Sequence, residues 1–133
     1  NFLSEMKDKY FKGENRKTII VGDFNIAPLP DDVWSHKALL NVVSHTKIET
    51  DLLSEIKKNG KWLDTFREII PSGKLYSWWS YRARDWKASN RGRRLDHIWA
   101  SNDLKSKLSR VEVFSEARGW ERPSDHVPIL AIF

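Results

Sequence analysis

Short apolar runs separated by polar breaks divide the chain into elements too brief for a helical bundle and too irregular for a repeat. Lys17-Thr18-Ile19-Ile20-Val21 is a β-branched run that reads as a buried strand, with Gly22-Asp23 at its carboxyl end. Before it, Phe2, Leu3, Met6, Tyr10 and Phe11 share one helical stripe, which predicts an amphipathic helix over Asn1 to Phe11 and a turn at Gly13-Glu14-Asn15. Ala27 to Trp34, rich in Pro and Asp, is expected to be a loop, and Leu39 to Val43 fits a short helix or a strand equally. Ile48, Leu52, Leu53 and Ile56 mark a helix stopped by Asn59-Gly60. Leu63, Phe66, Ile69 and Ile70 mark another, ended by Pro71-Ser72-Gly73. Leu75 to Trp79, Leu95 to Ala100, Arg110 to Phe114 and Val127 to Phe133 read as strands, and Asn102 to Leu108 as a short helical turn. Strands mixed irregularly with helices predict an α/β fold: a mixed, largely antiparallel sheet covered by helices on one face.

A length of 133 residues predicts one domain over residues 1–133, long enough to bury a core. The absence of Cys excludes a disulfide framework, a thiolate nucleophile and a cysteine–zinc site, and fits a reducing cytoplasm. No apolar run approaches the roughly 20 residues of a membrane span, and nothing resembles a signal peptide, so no membrane partner is expected. The chain opens on Asn1 inside an element, as expected of a processed product or a piece of something longer. Its net charge of +5 is concentrated: Arg82 to Arg94 holds six basic residues against one acid, close to Trp78, Trp79, Tyr81 and Trp86. Such interleaving suits a sugar–phosphate backbone with an unstacked base or sugar nearby. A solvated loop beside a few core aromatics accounts for the composition equally well.

Three short polar clusters sit beside apolar runs: Gly22-Asp23-Phe24-Asn25, Arg94-Leu95-Asp96-His97 and Ser124-Asp125-His126. On an extended backbone Asp23 and Asn25 point to the same side, offering a carboxylate for a divalent metal or a water proton and an amide for water or phosphate. Taken alone, an Asx-turn at a strand end is the better account of those residues. Asp125 and His126 are adjacent, so on a strand they face opposite ways and have different partners. Asp96 is the natural partner for His126, because a carboxylate on one ring nitrogen fixes the tautomer. An imidazolium so held can stabilise charge developing on a phosphate oxygen. His36, His45 and His97 are expected to be structural, and the Asp31-Asp32 pair solvated. A Gly-rich phosphate loop, a Gly-x-Ser-x-Gly elbow and closely spaced zinc-ligating histidines are all missing from the sequence.

Taken together, residues 19–25 (IIVGDFN), 77–82 (SWWSYR), 90–96 (NRGRRLD) and 122–128 (RPSDHVP) resemble exonuclease III, the bacterial branch of the endonuclease/exonuclease/phosphatase superfamily. The resemblance covers residues 17–133 and implies a DNA-repair nuclease dependent on Mg²⁺ or Mn²⁺, acting on duplex DNA at abasic sites and 3′ ends. By matched position, Asp23 would activate or position water, Asn25 hold water and phosphate, Asp96 orient His126, and His126 contact the scissile phosphate. Asp23, Asn25, Asp125 and His126 would surround the metal. Trp78 and Leu95 would line a pocket for a base-less sugar, with Tyr81, Arg82, Arg91 and Arg94 also facing DNA. A cytoplasmic, nucleoid-associated bacterial protein is implied.

Members of that family are about twice as long, two halves whose sheets pack face to face in a four-layer αββα sandwich. This chain therefore resembles the C-terminal half, without the half that supplies a metal-binding Glu, a phosphate-contacting Asn and a Tyr. Its uncovered sheet face would favour a partner half or a dimer. Two alternatives follow: an inactive half that binds only DNA or a partner, and a phosphoinositide or sphingolipid phosphodiesterase of the same superfamily.

Overall fold

Backbone pairing gathers the strands into two sheets rather than one. The computed structural model describes residues 4–5 and 17–133. Ser4 and Glu5 are helical, and the rest of the expected Asn1 to Phe11 helix, with the Gly13-Glu14-Asn15 turn, lies outside the described residues. Strands β1 (Ile19–Asp23), β2 (Trp62–Asp64) and β3 (Asp96–Ser101) form an antiparallel sheet in the order β1-β3-β2. Strands β4 (Arg110–Val113) and β5 (Ile129–Ile132) pair antiparallel beside it.

The longest helix among the described residues, α2 (Lys47–Asn59), follows the short α1 (His36–Leu39) and shows why the local sequence folds as it does. Thr46 caps it by accepting from the Glu49 backbone N–H, and the Glu49 side chain accepts in return from the Thr46 N–H, a capping box. Leu53 and Ile56 then pack with Phe24, Ile26 and Trp99, and with the partly buried Ile20 and Trp62. Each such side chain contributes about 1.5–3 kcal/mol on burial. The other side of β1 is left open, with Ile19 46% and Val21 65% exposed. The expectation of a mixed α/β fold with helices on one sheet face holds.

Several local expectations are corrected. Leu63 belongs to β2 rather than a helix, because Trp62–Asp64 pairs with Trp99–Ser101, and a ladder outweighs a helical period in three residues. The helix begins after it as α3 (Thr65–Ile69), with Asp64 as its cap. Leu75 to Trp79 is not a strand: only Trp78 bridges, to Arg93 and to His126. Ala27 to Trp34 contains a 3₁₀ turn at Pro30–Asp32, and the basic segment contains α4 (Trp86–Ser89), capped by Asp85.

The largest correction concerns Arg94 and Asp32. Asp32 is fully buried rather than solvated, and Arg94 is 2% exposed rather than facing DNA. The Arg94 guanidinium donates to both oxygens of Asp32, at 2.7 and 3.0 Å, and to both oxygens of Asp64, at 2.9 and 2.8 Å. Arg67 adds a second cation to Asp32 at 2.6 Å. Burial disfavours each charge, but Arg94 overcomes it at Asp64, whose pKa is lowered, while Asp64 and Asp32 raise that of Arg94. An arginine that is 2% exposed and has four of its five N–H donors on two buried carboxylates is not presented to a phosphate.

Candidate active site

Register builds the site. In the β1–β3 ladder Asp23 stands opposite Asp96, so the two side chains leave the same face of the sheet. Like charges directly opposite are destabilising in a ladder. The chain answers with His126: its Nδ1 lies 2.8 Å from Asp96 Oδ2 and its Nε2 3.9 Å from Asp23 Oδ2. A proton on Nδ1 points at Asp96, which leaves Nε2 facing Asp23.

Two further contacts hold this arrangement. Ser77, fully buried, donates from Oγ to Asp96 Oδ2 at 2.6 Å and accepts from the Leu95 and Asp96 backbone N–H groups at 3.0 Å. The Val127 N–H donates to the Ser77 carbonyl at 2.8 Å, which ties the His126 segment to the same serine. Ser77 opens the motif at residues 77–82 but was not among the expected site residues, because the motif does not reveal the carboxylate its hydroxyl meets.

Asn25 reaches the site through the Asx-turn that these residues favour when taken alone, not along an extended backbone. The backbone is not extended there: Asn25 has φ 54°, and its N–H donates to Asp23 Oδ1 at 2.7 Å, an Asx-turn. The turn nevertheless leaves both side chains on one cavity of about 470 Å³, shared with His126. Trp78, Leu95, Arg82, Arg93, Val43 and Ser44 form other parts of its lining. Arg93, Val43 and Ser44 were not expected as site residues, and the last two arrive from a loop that carries no motif.

The remaining expected residues fall outside the cavity lining. Asp125 Oδ2 accepts from the Trp78 indole at 2.9 Å, fixing that ring, and Asp125 does not join the metal-capable group. Tyr81 is exposed, with its hydroxyl on the Pro123 carbonyl at 3.0 Å and the Arg118 guanidinium 5.1 Å from its ring centroid. Arg91 lies over the Trp34 ring at 4.8 Å. His97 is fully buried on the opposite face, donating from Nε2 to the Ile26 carbonyl at 2.8 Å. Burial, followed by the nearby Arg94 charge, pushes its pKa down to about 4, so it stays neutral.

Ligand atoms of Asp23, Asp96 and His126 lie within 4.8 Å of one another. Two carboxylates with one imidazole form an oxygen-rich donor set, which suits Mg²⁺ or Mn²⁺ better than a structural zinc. Asp23 and His126 line the cavity, whereas Asp96 Oδ2 is already shared by Ser77 and His126.

Carboxylates paired across neighbouring strand ends, with an imidazole between them, thus stand on one face of a helix-backed antiparallel sheet. The endonuclease/exonuclease/phosphatase family matches residues 5–126, and the chain belongs to that family. It is 30% identical to exodeoxyribonuclease III of Haemophilus influenzae over 94% of this chain and 50% of that protein. Among solved structures, an AP endonuclease from Archaeoglobus fulgidus superposes with a TM-score of 0.93 at 28% identity, over 99% of this chain and 52% of that one. A 3′ phosphatase from Neisseria, solved with a product DNA hairpin, gives 0.88 at 30% identity, over 98% of this chain and 51% of that one. The chain thus spans about half the length of the relatives it matches.

Proposed function

We propose that this chain carries a phosphodiester-hydrolysing site of a DNA-repair nuclease, of the exonuclease III and AP-endonuclease type. The observation that carries the reading is His126 held between Asp96 and Asp23, at the mouth of a cavity walled by Trp78, Arg82 and Arg93. In this reading Asp96 fixes the His126 tautomer, and Nε2 meets a non-bridging oxygen of the phosphate and stabilises the charge that grows there. Asp23 receives a proton from, or aligns, the attacking water, and Asn25 steadies water and phosphate without adding charge. Asp23, with help from Asp96, would hold a Mg²⁺ or Mn²⁺ ion, which would supply Lewis-acid stabilisation of the phosphate. The +5 charge and the aromatic wall favour duplex DNA, at an abasic site or a 3′ end, over a lipid head group.

One observation supports a second reading. The chain spans about half the length of the relatives it matches, so a site completed by the other half would leave the chain by itself able to bind DNA without cutting it. Incision of a duplex with one abasic site, and release of nucleotides from a 3′ end, separate the two. Under the nuclease reading both proceed with Mg²⁺, stop with EDTA, and are lost in Asp23→Ala and His126→Ala. Cutting that survives EDTA or either variant refutes the mechanism, while DNA binding without any cutting selects the second reading.

A further inference from the structure

We propose that Arg93 is a specificity-determining residue: its guanidinium receives a phosphate of the DNA strand next to the reacting phosphorus, and so biases the cavity toward an anionic strand end. The inference rests on the DNA-nuclease reading above and names what the cavity beside Trp78 is built to hold.

The neighbouring arginines define the contrast. Arg94 is neutralised by two carboxylates, and Arg67 shares one of them. Arg93 is half-buried, yet among the described residues it has no carboxylate within salt-bridge distance. Its Nη1 donates to the Val43 carbonyl at 2.9 Å and to Ser44 Oγ at 2.7 Å, both uncharged. Its Nε is buried without a partner, and its Nη2 makes no hydrogen bond among the described residues. The guanidinium lies 5.4 Å from the Trp78 ring centroid, on the cavity wall that also carries Arg82 and His126. Burial alone, with no opposing anion, pulls its pKa below the ordinary arginine value.

An unneutralised, partly desolvated cation costs stability, and an aliphatic side chain would cover Trp78 without that cost. Its backbone is held rigidly: the Arg93 N–H donates to the Trp78 carbonyl at 3.0 Å, and the Arg93 carbonyl accepts from Ser77 and Trp78 at 2.9 and 3.0 Å. The charge is therefore fixed in place, with donors free, on the lining of a cavity that also holds Asp23 and His126. A planar cation with spare N–H donors on an aromatic face matches phosphate oxygens, not an uncharged sugar.

The experiment measures DNA binding by fluorescence anisotropy across a salt series in Ca²⁺ buffer. Three duplexes are used: a nick ending in 3′-phosphate, the same nick ending in 3′-hydroxyl, and an intact duplex with a tetrahydrofuran abasic analogue. The chain should bind the 3′-phosphate nick about tenfold tighter than the other two. Arg93→Leu should remove that preference and lessen the slope of log K against log salt by about 0.9, the share of one phosphate contact. Arg93→Lys, which keeps the charge, should keep most of the slope. A slope loss of equal size on all three duplexes assigns the contact to an internal phosphate and overturns the specificity assignment. Unchanged preference and slope in an Arg93→Leu protein that still melts cooperatively would overturn the inference alone; no DNA binding by the unaltered chain would overturn the nuclease reading with it. If Arg93→Leu does not fold, Arg93→Lys with competition by inorganic phosphate separates the same outcomes.

Discussion

Replacing Arg94 by Met should destabilise the fold strongly and leave DNA affinity nearly untouched. Arg94 is 2% exposed and supplies both charge-assisted hydrogen bonds to Asp64, whose side chain is 5% exposed and also accepts the Arg67 N–H at 3.4 Å, whereas Asp32 keeps its bonds to Arg67. Met fills a similar volume, so the principal loss is the cation, and Asp64 is left as an uncompensated buried anion. Removing one partner of a buried pair costs about 3–5 kcal/mol. For a chain of this size, that corresponds to a fall of about 10–20 °C in Tm. The pH dependence gives the sharper test. In the unaltered protein Asp64 has a lowered pKa, so its stabilisation is present above its ordinary pKa and is lost as pH falls through the folded value. In Arg94→Met the burial remains and the cation is gone, so Asp64 is raised instead. The stability gap between the two proteins should be widest near neutrality and shrink on acidification toward pH 4. Urea unfolding at a series of pH values measures it, and Arg94→Met/Asp64→Leu should recover much of the loss. A gap that stays constant with pH, or a large fall in the salt slope of DNA binding, would refute the assignment of Arg94 to the core.

Two further outcomes follow from the same geometry. Asp96→Asn preserves shape but removes the anion that orients His126, and should lower the rate of abasic-site incision by about 10²–10⁴-fold. His126→Ala added to it should lower the rate little further, and full additivity in single-turnover kinetics would contradict the coupling. His97, held neutral with its pKa lowered to about 4, stabilises the fold above its ordinary pKa of 6.5, an effect lost progressively as pH falls toward 4. The shift is worth about 3 kcal/mol, and a His97→Gln protein should show a flatter fall in urea midpoint over that window.

Much of this molecule is legible in its sequence wherever the information is local. The β-branched run at residues 19–21, the Thr46-to-Glu49 capping box and the apolar pair Leu53 and Ile56 each specify their own element. So does the chemistry of a carboxylate and an imidazole, which joins Asp96 to His126 across 30 residues. What pattern reading misses is the partner supplied from far away. Arg94 lies in a basic run, and nothing in that run reveals Asp32 and Asp64, which stand 62 and 30 positions earlier. Asn25 shows the converse: the expected co-facing with Asp23 is present, yet it arises from a left-handed turn rather than an extended strand. Ser77 and Arg93 lie in motifs that the sequence singles out, yet were not expected at the site, because a buried hydroxyl and a guanidinium without a carboxylate partner become informative only once their surroundings are known.

The site depends on the core more directly than its exposed position implies. A strand slipped by one residue turns every side chain to the other face, so Asp23 meets Asp96 only in one register. That register is set from behind: Phe24 stacks on His97 at 5.0 Å and meets Trp99 edge-on at 5.1 Å, beneath Leu53 and Ile56. The Phe24 N–H to Leu95 carbonyl bond, at 3.0 Å, continues the ladder past the last strand pair and fixes the point at which the chain turns into Asn25. The apolar face thus supplies the free energy that holds two carboxylates opposite each other, an arrangement the ladder alone disfavours. His126, brought in against Trp78 by a separate bridge, then offsets that repulsion. Changes at Phe24 or Trp99 should therefore disturb the Asp23–His126–Asp96 geometry although neither residue is among the three, because packing on one side of the sheet determines which charges face one another on the other.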